Sequence, residues 1–144
     1  MSEIGKRRLI RNIYEADWQG MYIIGEQWKS DLLFYNDDLK FLEHLKEKYF
    51  NRVFNNEEIT RVLKIEITLN QVKLKCEELL INTYQHLTKI ARLIDVPFKY
   101  DSYLIRKEHD CLEFEILNFI KQYRSNKAAV FAMAEQVMEN SELA

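Results

Sequence analysis

The chain is poor in the residues that interrupt helices. Its 144 residues hold 3 glycines and 1 proline, where average usage would supply about ten and about seven. That scarcity argues against a turn-rich β-sandwich, a glycine-looped nucleotide fold and low-complexity disorder. Cysteine is scarce as well. Cys76 and Cys111 are the two present, too few for a disulfide framework, and they point to a reducing, cytoplasmic setting. Neither sign of charge is in large surplus: 21 basic against 23 acidic residues give a net charge of −2. A general nucleic-acid binder shows a basic excess, so nucleic acid is not the expected partner. No run approaches the ~18 uninterrupted apolar residues of a membrane span. Met1 to Trp18 is charged throughout and lacks the apolar region of a signal peptide. Lys6-Arg7-Arg8 with Arg11 reads as a flexible basic tail over residues 1–11.

The motifs that announce chemistry are missing too. The sequence has no GxGxxG, GxxxxGK, GxSxG, HExxH or CxxC. A di-iron bundle needs Glu three residues before a ligating His. The residues three before His44, His86 and His109 are Phe41, Thr83 and Arg106. Asp37-Asp38, Glu57-Glu58 and Glu77-Glu78 read as solvated faces or first-turn partners of a helix dipole. Lys121, Arg124 and Lys127 follow a helical spacing but lie among acidic residues. Nothing here predicts an enzyme.

What the sequence does have is a sustained 3-4 spacing of large apolar side chains. The first series runs Tyr14, Trp18, Met21, Gly25, Trp28, Leu32, Tyr35, Leu39, Leu42, Lys46, Tyr49, Val53, interrupted only by Gly25 and Lys46. The second runs Val62, Ile65, Leu69, Val72, Cys76, Leu79, Thr83, His86, Ile90, Leu93. The third runs Ile105, His109, Leu112, Ile116, Phe119, Tyr123, Asn126, Val130, Met133, Val137. Asn12 with Glu15, and Asn55 with Glu58, fit the spacing of a capping box. Asp101 or Ser102 suits a third N-cap. Pro97 disfavours helix at Val96, and Asn140 to Ala144 should fray.

These signals predict helices over residues 12–54, 56–95 and 102–139 in a single domain spanning 1–144. At ~1.5 Å per residue each is about 60 Å long, and short joints make neighbours antiparallel. The expected fold is an all-α, elongated, up-down-up three-helix bundle. The alternative is a four-helix bundle with the first helix broken near Gly20 or Gly25, each of which costs roughly 1 kcal/mol in a helix interior.

Two features bear on function. The apolar content of 47% exceeds what three seams need, and the excess is ordered. Leu63, Ile67, Leu74, Ile81 and Tyr84 form a second stripe on the middle helix, and Ile23, Phe34 and Phe41 another on the first, with Phe50 and Phe54 near its end. Leu117, Ile120, Phe131 and Ala134 add to the third. A slender bundle has little interior to spend on a second face, so a partner should cover it. The simplest is another copy of the chain, with a homodimer favoured and Phe34, Phe41, Leu63, Ile67, Leu74 and Ile81 as interface residues. The other feature is polar. Antiparallel pairing across Pro97 brings His86 and His109 within a turn of each other, level with Gly25, Trp28 and Thr83. That layer would set helix register; as an alternative, His86 and His109, with Cys111 or Glu113, could serve a metal or a small ligand, using the space left at Gly25. The same pairing sets Asn126 near Asn70 and Gln71, and keeps the two thiols about 15 Å apart along the axis. Lys, Asn, Ile, Tyr and Phe are abundant, as in proteins of AT-rich bacterial genomes.

Overall fold

The computed structural model describes residues 18–53, 55–97 and 100–143. Three helices account for nearly all of them: α1 (Trp18–Tyr49), α2 (Asn56–Asp95) and α3 (Ser102–Leu143). They pack side by side as an up-down-up antiparallel bundle, with no strand among the described residues. At ~1.5 Å per residue the helices measure about 48, 60 and 63 Å. None is long and apolar enough to cross a membrane.

Local chemistry sets the helix ends. The Asn55 side chain accepts the amide of Glu57 at 2.8 Å, while Asn55 itself stays extended. The reciprocal half of the expected box does not form. Glu58 instead accepts from Gln136 at 2.7 Å and from Asn140 at 3.4 Å, tying the start of α2 to the end of α3. Helix α3 runs to Leu143, past the expected end at residue 139. At the other joint Val96 leaves the helix, one residue before Pro97, with its amide still bonded to Arg92. Asp101 caps α3 by accepting the amides of Tyr103 and Leu104 at 2.9 and 3.3 Å.

The first helix departs from expectation at its end. It stops at Tyr49 and tightens into a 3-10 turn over Phe50–Arg52. That turn swings Phe50, expected on an outer face, into the core. Helix α1 is continuous through Gly20 and Gly25, so the four-helix alternative does not apply. The expected start at residue 12, its Asn12 cap, the basic tail over 1–11 and Phe54 lie outside the described residues.

All three heptad seams point inward. Every position of the second and third series is buried, including the polar Thr83, His86, His109 and Asn126. The apolar interior forms two masses. The larger runs from Trp28 past Leu39, Leu69, Phe119 and Val130 to Val137. The smaller, at one end, joins Trp18, Ile90, Leu93 and Ile105. The histidine layer lies between them.

Candidate functional site

Two features of the bundle are candidates for a functional site: the buried histidine layer and the outer apolar faces. The layer is assembled by register alone. His86 enters from α2 and His109 from α3, and Nε2 of His86 lies 2.8 Å from Nδ1 of His109. The Nδ1 of His86 lies 2.7 Å from Oε1 of Glu108, whose other oxygen accepts from Lys89 at 3.0 Å. The partners fix the proton positions. A carboxylate can only accept, so Nδ1 of His86 carries the hydrogen, and Nε2 of His86 then accepts from Nδ1–H of His109. The Trp28 ring of α1 packs on His109 with centroids 4.4 Å apart.

Burial opposes the charge on Glu108, but its hydrogen bonds from Lys89 and His86 prevail and hold its carboxyl below the ordinary range. Burial dominates at His86 and pushes its imidazole below its ordinary value, against the pull of Glu108. His86 is therefore neutral near pH 7 and stands ready as an acceptor.

The space expected beside Gly25 belongs to Leu87. A Cβ placed on Gly25 would stand 2.6 Å from Cδ2 of Leu87. Gly25 thus serves close helix packing, and the ligand space inferred from its missing side chain is filled. Among the described residues no group of three or more His, Cys, Asp or Glu is arranged to hold a metal ion. Glu113 and Cys111 do not join the histidines in such a group. Cys111 is exposed at a cleft between α2 and α3 that also includes Lys89 and Glu108. Cys76 is buried, its Sγ donating to the carbonyl of Leu32 at 3.5 Å, and burial pushes the thiol up to about 11. At that value it is a protonated, unreactive group at neutral pH. Both cysteines are free.

Two polar contacts differ from the expected pairing. Asn126 donates to the Ile65 carbonyl at 3.4 Å and does not meet Asn70 or Gln71, which are exposed; its Oδ1 is buried without a partner. Asp38, read as part of a solvated acidic pair, instead bridges α1 to α3. It accepts from the Tyr123 hydroxyl and from Lys127, the latter at 2.9 Å. Burial pulls against the Asp38 charge, yet these donors hold its carboxyl low, while burial and Asp38 together push the Tyr123 phenol far up. The signal for this contact lay in combining the two antiparallel joints, which sets α1 parallel to α3 at an offset near 85 residues. Glu108 carries no seam signal, because it stands just off the 3-4 series and only its side chain reaches in to His86.

The outer faces carry the six expected interface residues. Phe34, Phe41, Leu63, Ile67, Leu74 and Ile81 remain between 49% and 65% exposed. Tyr84, Ile23 and Leu117 are exposed with them, whereas Ala134 joins the core and Ile120 packs against it. The exposed rings of Phe41 and Phe131 meet at a tilt across α1 and α3, their centroids 6.4 Å apart. On α2 the exposed stripe lies opposite the buried seam, since successive residues step by about 100° around the helix. Comparison with protein-family models, with curated proteins and with solved structures finds no match to this chain.

Proposed function

We propose that this chain is a non-enzymatic helical protein that works by self-association or by docking another protein along its apolar outer helix faces. One observation carries the reading. Leu63, Ile67, Leu74 and Ile81 lie more than half exposed in one row on α2, directly behind a helix face that is already buried. A bundle that needed only its own fold would place polar residues there. Large apolar side chains aligned in this way are the usual anchors of a helix-in-groove contact. Phe34 and Phe41 offer a second row on α1. A cytoplasmic bacterial protein is the setting that the cysteine usage and composition favour.

The histidine layer supports a structural role within this reading. Its two rings satisfy each other directly, and Leu87 occupies the neighbouring gap.

Site-specific photocrosslinking in living cells tests the proposal. A photoreactive phenylalanine analogue at Ile67 or Phe34 should give discrete protein adducts, and the same analogue at the exposed Glu47 should not. If Ile67 and Phe34 give no more adducts than Glu47, the docking reading fails.

A further inference from the structure

The α2 stripe has an internal symmetry that identifies its occupant. Ile67, Leu63 and Ile59 stand four, eight and twelve residues before Gln71; Leu74, Ile81 and Tyr84 stand three, ten and thirteen after it. All six are exposed. If a second α2 is laid antiparallel on the first about a two-fold axis at Gln71, Ile67 meets Leu74, Leu63 meets Ile81 and Ile59 meets Tyr84. Each pair matches to within two residues, about 3 Å along the axis. A two-fold contact requires a patch complementary to itself, and this stripe meets that requirement.

The flanks agree. A two-fold axis in the contact plane brings each flank of the stripe against the same flank of the other copy. Lys64 and Glu78 lie on one such flank, seven residues before and seven after Gln71, and both are exposed. They therefore face each other twice across the contact. A parallel arrangement would instead stack Glu77 on Glu77 within the stripe, a like-charge contact.

The area is sufficient. With every exposed part of the six side chains covered, they would contribute at most about 600 Å² per copy. Two copies together bury about 1,200 Å², the lower edge of a stable specific interface.

We infer that the partner of this face is a second copy of the chain, docked α2 against α2 antiparallel with its two-fold axis near Gln71. The inference rests on the docking reading above and names its occupant. Sedimentation velocity of the full chain should show a species of twice 17.4 kDa. Ile67→Glu combined with Leu74→Glu should reduce it to the single-chain mass, with helical circular dichroism unchanged. Lys64→Glu should raise the dissociation constant about tenfold at low salt, and adding Glu78→Lys to the same chain should restore it. On a Cys111→Ser background, Gln71→Cys should be linked to its counterpart by a short bismaleimide. A wild-type chain of single mass at every concentration overturns the inference, and the photocrosslinks at Ile67 then decide separately whether a different protein docks there. A dimer indifferent to the Ile67 and Leu74 substitutions overturns the assignment of the face. Failure of the charge swap and of the Gln71→Cys link overturns the antiparallel register.

Discussion

Acidification probes the buried histidine pair most directly. His86 is fully buried, and burial holds its imidazole below the ordinary value of 6.5 while Glu108 pulls the other way. Because the folded-state pKa is depressed, the unfolded chain takes up this proton first as pH falls. Stability owed to neutral His86 is complete above pH 6.5 and drains away below it. The loss grows by at most about 1.4 kcal/mol per pH unit, until the folded form is protonated as well. Protonation also removes the acceptor, since Nε2 of His86 can no longer receive the hydrogen of His109. The depressed carboxyls of Glu108 and Asp38 enter lower, near their ordinary values of 4.5 and 3.8. The window between about pH 6.5 and pH 5 therefore lies above both carboxyls. Across it the chain should lose up to about 2 kcal/mol, a shift of about 4–8 °C in Tm for a protein of this size. Urea denaturation followed by helical circular dichroism at a series of pH values reads the quantity directly. His86→Leu cannot titrate, so it should flatten the profile in this window while lowering stability at neutral pH, where Glu108 and His109 lose a partner. A wild-type profile that is flat there, or a variant profile as steep as wild type, would refute the reasoning.

Three further outcomes follow from the same packing. Leu69→Ala empties a fully buried site and should cost about 2–5 kcal/mol, read as a fall in the urea midpoint at constant m. Asn126→Leu removes the unpartnered Oδ1 from a seam position and should stabilise by about 1 kcal/mol on the same assay. Gly25→Ala should fail to gain the ~1 kcal/mol that alanine normally brings to a helix, because its Cβ would crowd Cδ2 of Leu87. In a Leu87→Ala background the same change should recover part of that gain, and a double-mutant cycle measures the coupling.

The fold was legible because one signal dominated. The 3-4 spacing specified which side of each helix is buried, and the few breakers left little room for other ends, so Asn56 and Asp95 bound α2 as the sequence predicts. Pairing arithmetic also brought His86 to His109. What escaped was geometry finer than the period. The 3-10 turn that buries Phe50 is a local tightening that leaves no mark on a heptad count. The Asp38 contact depends on a parallel pair of helices that are not consecutive in the chain. Asn126 meets the Ile65 carbonyl rather than Asn70 because Asn70 and Gln71 stand off the seam and face solvent, which an axial pairing count does not register. Gly25 looked like a vacancy because its neighbour Leu87 stands just off the seam.

The histidine layer also divides the bundle lengthwise. On one side lies the long apolar mass; on the other, among the described residues, Trp18, Ile90, Leu93 and Ile105 join into a smaller buried cluster, with Met21, Tyr22 and Tyr100 packed against it. Parts of a fold with a smaller buried cluster open locally at lower cost than its main core. The tip that holds the α2–α3 joint should therefore open before the shaft does, and hydrogen exchange should be faster for its amides than for those around Leu69 and Phe119. Acid, by protonating His86 in the layer between the two parts, should widen that difference.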